Sequence, residues 1–161
     1  MRLKKAKVLL VILTLAIPLC GCMVINTETK QYFAVSTGDE IVLEINKESG
    51  YKIYFDDPYL IIKEGQTYFE GGFGEAVVDE NIREMVAKDG DANVVDDFEK
   101  DGHRYFIFSS DEDETDGNIE IFTIIKIADS NTCVTLISTR TEEEVRDALD
   151  AITFTLRSSG V

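Results

Sequence analysis

The 161-residue chain contains one histidine, two prolines, three cysteines and no tryptophan. A single histidine excludes any metal site built on two or more imidazoles, and it makes His103 the residue that a Ser-His or Cys-His catalytic set would have to use. Long apolar runs are also missing. A membrane-spanning helix needs about 20 apolar residues to cross a hydrocarbon core about 30 Å thick, and the run at residues 8–19 has twelve. Basic side chains are scarce, with 16 Lys and Arg against 31 Asp and Glu and a net charge of −15. Affinity for nucleic acid comes from neutralising phosphates with Lys and Arg, so nucleic acid is excluded as a partner.

What is present starts at the N-terminus. Arg2, Lys4, Lys5 and Lys7 precede the apolar stretch 8–19, and Pro18 ends helical structure near its close. This is the basic region and short hydrophobic region of a secretory signal. The run continues into Leu19, Cys20, Gly21 and Cys22, which resembles the lipobox of bacterial lipoproteins: an aliphatic residue at −3, a small one at −1, then cysteine. Cys20 stands at −2, where a small or hydroxyl residue is usual. The resemblance implies that residues 1–21 are a cleaved lipoprotein signal peptide and that Cys22 carries a diacylglyceryl group on its sulfur. The product would be a lipid-anchored protein on the extracytoplasmic face of a cell membrane. Two or three acyl chains give the stable anchoring that one chain does not.

Removal of the signal takes four of the 16 basic residues and no acid, leaving 12 against 31 and a net charge of about −19. Cys20 departs with the signal and Cys22 is used by lipid, so Cys133 is the only thiol of the folded body. One thiol makes no internal disulfide, and the domain must stand on its core. Cys133 lies in the apolar run 132–137 with no basic neighbour to lower its pKa, and is expected to be buried and inert.

Residues 22–37 are expected to form the lipidated N-terminus and a polar tether, 38–157 a single globular domain, and 158–161 a tail. Alternation at 40–45 (Ile41, Leu43, Ile45) and 51–55 (Tyr51, Ile53, Phe55) predicts strands. Strands at 59–63 and 67–70 flank a turn at Gly65-Gln66, after which Gly71, Gly72 and Gly74 are expected to break the pattern as a bulge or loop. From Asp79 to Lys88 the spacing turns helical: Val78, Ile82, Met85 and Val86 form one stripe, Asp79 caps the first turn, Gly90 follows the last, and the acids face solvent. Further strands are read at 92–98, 103–109, 119–127 and 132–138, the first two joined across Lys100-Asp101-Gly102. Thr141 with Glu144 forms a capping box for a final helix whose stripe is Val145, Ala148, Leu149 and Ile152. The fold class is α+β: a mostly antiparallel sheet of about six to eight strands covered by a mid-chain and a C-terminal helix. This order, closing on TEEEVRDALDAITFTL, resembles the PsbP-like family over about residues 38–157, with KIYFDDPYLI where relatives often carry an aromatic-proline-Trp strand. The resemblance implies a non-catalytic domain that assists membrane complexes through protein contacts or ion retention.

The residues form no recognisable catalytic, cofactor-binding or metal-ligating set. His103 follows a hairpin turn beside Arg104 and is expected on the hairpin surface, without an activated nucleophile. The glycines of YFEGGFGEA lack the lysine of a phosphate loop and are flanked by Glu70 and Glu75. Asp111, Glu112, Asp113, Glu114, Asp116 and Asn118 are the densest group of oxygen donors, but Thr123 stands where a calcium loop places its bidentate glutamate. An acidic solvated loop is the expectation. The leading functional expectation is therefore a membrane-anchored binding or accessory module that meets a protein or envelope partner. An envelope hydrolase using paired carboxylates, and a weak calcium module at 111–118, are the alternatives. On titration with millimolar Ca²⁺, the range in which extracellular calcium modules bind, the melting temperature and the amide signals of residues 111–118 should stay in place. A shift in either would assign the loop a metal.

Overall fold

The computed structural model of the protein describes residues 27–54, 59–88, 92–110 and 119–157. Along the chain come β1 Lys30–Ala34, β2 Glu40–Ile45, a 3-10 turn Lys47–Ser49, β3 Lys52–Tyr54, β4 Tyr59–Lys63 and β5 Gln66–Glu75. Then follow α1 Val77–Lys88, β6 Ala92–Lys100, β7 His103–Ser110, β8 Glu120–Lys126, β9 Thr132–Ser138, α2 Glu142–Asp150 and β10 Ile152–Leu156. The fold is α+β. Its strands form a three-stranded sheet in the order β1-β2-β10 and a seven-stranded sheet in the order β3-β4-β5-β9-β8-β7-β6.

The main core lies between the two sheets and takes in α2. Ile41, Leu43 and Ile45 of β2 meet Ile61, Phe69, Tyr105, Ile107, Ile125 and Leu136 of the larger sheet, and Val145, Ala148 and Leu149 of α2 join the same cluster. The other face of the larger sheet is covered by α1, where Val86 packs with Phe106, Phe108, Ile124 and Cys133, flanked by Val78 and Ile82. Strand β7 reads as a nearly unbroken apolar run because both of its faces are covered. Met85, expected in the stripe of α1, is 55% exposed.

Local chemistry explains the turns. Glu64 (φ 53°) with Gly65 (φ 76°), and Asp101 (φ 54°) with Gly102 (φ 80°), place two successive left-handed residues between paired strands. That backbone matches the right-handed twist of a hairpin. In α2 the capping box forms as the sequence predicts: the Glu144 amide donates to Thr141 Oγ1 (3.3 Å) and the Thr141 amide donates to Glu144 Oε2 (3.0 Å). The hydrogen bonds that the Thr141 amide and hydroxyl donate to the Glu144 carboxylate hold it below the usual glutamate range.

Four expectations are corrected. Part of the expected 22–37 tether is folded: β1 pairs with β2 and buries Phe33. The glycines after Glu70 do not end the strand, because β5 runs on to Glu75 and pairs with β9 through Gly71, Gly72 and Gly74. The C-terminal helix stops at Asp150, and Ile152 begins β10, whose Ile-Thr-Phe-Thr-Leu alternation buries Ile152 and Phe154 against β2. Asp79 is neither a cap nor solvated; it lies inside α1 and is fully buried.

Gly71 is required by packing. A Cβ there would stand 2.1 Å from the Tyr59 ring, which lies across the bare backbone. Tyr59 in turn touches Phe33 of the smaller sheet and Phe73 at centroid distances of 5.1 and 5.4 Å. Its hydroxyl is buried without a partner, and burial pushes the phenol well above its usual pKa. Gly71→Ala should therefore cost about 1–3 kcal/mol by overpacking. Tyr59→Phe, which keeps the ring and removes an unpaired polar atom, should cost nothing. Thermal denaturation of the two variants checks the contrast.

Candidate functional site

At one end of the molecule the β1–β2 loop, the β8–β9 loop and the β6–β7 turn converge. Asp39 joins the first two: its Oδ2 accepts from Thr132 Oγ1 (2.8 Å) and from the Asn131 amide (3.0 Å). Thr37 and Thr132 hydroxyls also bond to each other at 2.5 Å. These contacts tie the smaller sheet to the larger one. Beside them is an open groove of about 430 Å³ bordered by Asp39, Glu99, Arg104, Lys126, Asp129 and Ser130. Asn131 stands in its wall and in that of a second hollow of about 420 Å³ bounded by Ser36, Thr37, Glu75, Ala76 and Val77. Both are open and polar; the first carries charges of both signs, the second only that of Glu75.

His103 lies at this end but is not available to the groove. It is 7% exposed, against the expectation of a surface hairpin residue. The Ala128 amide donates to Nδ1 at 3.0 Å and Nε2 stands 2.7 Å from the Phe154 carbonyl oxygen. An amide only donates and a carbonyl only accepts, so Nδ1 holds the lone pair and Nε2 carries the proton. The imidazole is thereby a clamp between β10 and the end of β8, with no nitrogen left for a substrate. The Cys133 thiol, as the sequence predicts, is buried, and it donates to the Glu75 carbonyl at 3.3 Å. Burial, helped by the negative charge of Asp79, pushes the thiol up and away from the reactive thiolate.

Several of the described acids are matched to cations. Under α1, Arg83 Nε donates to Asp79 Oδ1 (2.9 Å) and Arg83 Nη1 to Asp97 Oδ2 (2.6 Å), while the guanidinium rests 4.3 Å above the Phe106 ring. Arg104 reaches the same Asp97 oxygen at 3.4 Å. Arg146 pairs with Asp96 on the edge strand β6 and holds its carboxyl below the usual range. Among the described residues, no group of three or more His, Cys, Asp or Glu side chains stands close enough to hold a metal ion. Cys22 and the acidic segment 111–118 lie outside the described residues.

The Asp79–Arg83–Asp97 network is absent from the sequence reading. Its only local signal is the i, i+4 spacing of Asp79 and Arg83, which on a solvated helix is worth a few tenths of a kcal/mol. Here the pair is buried, and Asp79 Oδ2 and Arg83 Nη2 have no partner. Removing Arg83 alone leaves a buried charge. Arg83→Met should therefore destabilise by about 3–5 kcal/mol, and the double variant Asp79→Leu/Arg83→Met by clearly less. Urea unfolding measures both; a double variant no more stable than the single one would refute the account.

Compared with known protein families, curated proteins and solved structures, the chain has no significant match.

Proposed function

We propose that the protein is a lipid-anchored module on the extracytoplasmic face of a cell membrane, attached through Cys22, and that it works by binding a protein or envelope partner without catalysis. The spacing Leu19-Cys20-Gly21-Cys22 behind a twelve-residue hydrophobic region supports the anchor. The observation that carries the binding role is the fate of the two side chains most suited to covalent or acid–base chemistry. Both His103 nitrogens are engaged by backbone groups, and the Cys133 thiol is enclosed under α1. A catalytic base must reach the proton it removes, and this imidazole has no free face. The accessory role implied by the PsbP-like element order agrees with this reading.

The groove beside Asp39 is where a partner would find polar complementarity. Its donors on Arg104 and Lys126 and its acceptors on Asp39, Glu99 and Asp129 suit a polar protein surface better than an apolar ligand. Capture of the full-length protein from crosslinked cells should return an N-terminal peptide with acylated Cys22 together with a reproducible partner. An unacylated Cys22 would refute the anchor, and repeated capture without a partner would refute the accessory role.

A further inference from the structure

The fold takes hold of the chain very close to the proposed lipid. The Thr27 amide donates to the Lys30 carbonyl (2.7 Å) and the Thr27 carbonyl accepts from Gln31 Nε2 (2.9 Å). The Glu28 carbonyl accepts from the Ile53 amide (2.5 Å) and the Thr29 carbonyl from the Ile45 amide (2.8 Å). From Thr27 onward the backbone is therefore bound into both sheets. Five residue steps separate Cys22 from Thr27, a reach of at most about 18 Å when fully extended and about 13 Å on average for a flexible chain. A folded body of this length has a radius of gyration of about 14 Å, so such a leash is shorter than the body it holds. The corner around Thr27 must stay near the surface that holds the lipid.

That corner differs in charge from the rest. Residues 27–30 and 44–54 carry three acids (Glu28, Glu44, Glu48) and three bases (Lys30, Lys47, Lys52), so the whole of the net −19 expected for the processed chain falls elsewhere. Lys52 pairs with Glu28 at 2.8 Å and Lys30 with Glu44 at 3.0 Å. Tyr54 is 58% exposed beside them. Asp150, which shares a hollow with Glu44, Lys47 and Glu48, adds one negative charge to this corner and is itself paired with Lys100. A surface this low in net charge, with an exposed tyrosine and long lysine side chains, suits a headgroup layer, where an aromatic ring and an ammonium on an apolar stem both find partners. Ser110 and Glu120, which bracket the acidic segment 111–118, sit on β7 and β8; β8 is four strands from β3 in the sheet order, about 19 Å away.

We propose that the corner formed by residues 27–30 and 44–54 is a membrane-facing surface that rests on phospholipid headgroups, with Lys47, Lys52 and Tyr54 in contact, and that the Asp39–Asn131 groove is thereby presented away from the bilayer. The proposal rests on the lipid-anchor reading. Strands β1 and β2 run between the two ends, since the β1–β2 loop that carries Thr37 and Asp39 leads away from Thr27 along β1.

The test uses the full-length acylated protein in vesicles of phosphatidylcholine and phosphatidylglycerol at 3:1 that contain nitroxide-headgroup lipid. A fluorophore is attached at Lys47→Cys, Tyr54→Cys or Asp129→Cys, with the buried Cys133 left in place. Quenching should be severalfold stronger at positions 47 and 54 than at 129, and a twenty-residue Gly-Ser insert after Met23 should bring the first two down toward the third. Equal quenching at all three positions, in protein whose intact mass shows acylated Cys22, overturns the membrane-facing corner and leaves the anchor standing. An intact mass without acyl chains overturns the anchor itself and the proposal with it.

Discussion

A phenol ring laid over bare backbone joins the two sheets of this protein. Tyr59 lies where a Cβ on Gly71 would be, and this lets it meet Phe33 across the core and Phe73 along β5. Phe33 and Phe73 close the group at 4.8 Å. Aromatic contacts of this kind add about 0.5–1.5 kcal/mol each beyond the area they bury. More depends on the contact than that energy. It seats β1, a strand at the edge of the small sheet, and seating β1 brings the chain under control at Thr27. The hold on the chain from Thr27 onward thus depends on one glycine.

Charge is handled in two ways in the same molecule. Most of the described acids lie at least partly exposed, where water solvates their charge. Among the described acids one, Asp79, is taken inside and is matched by Arg83 within α1. The edge strand β6 shows a third use. Arg146 of α2 bonds Asp96 and the Val95 carbonyl of this strand, and Lys100 at the strand's end donates to the Leu149 carbonyl of α2. A register shift between Val94 and Asp96 bends the strand as well. Side chains and a bulge on an edge discourage pairing with another chain. His103 likewise gives up its chemistry to architecture, since both its nitrogens connect backbone segments that no ladder joins.

The periodic elements were legible along the chain. Strands β2, β4 and β9 and the capping box of α2 coincide with what alternation and local hydrogen-bonding chemistry predict, because each depends on residues within a few positions of one another. β10 was not, since its five residues directly follow a helical stripe and Ile152 fits both periods. The full length of β5 is hidden for a related reason: three glycines close together signal a break, whereas the ring that needs one of them comes from twelve positions earlier, on another strand.

The sequence by itself determined the acidic composition, the burial of Cys133 and the α+β class, all of which rest on composition or on short-range pattern. Only the tertiary structure decided which polar groups are enclosed. Asp39 meets Thr132 across 93 positions and His103 meets Phe154 across 51, and no local preference encodes such pairings. They arise when sheet register, set by the apolar faces, carries distant loops to the same end of the molecule.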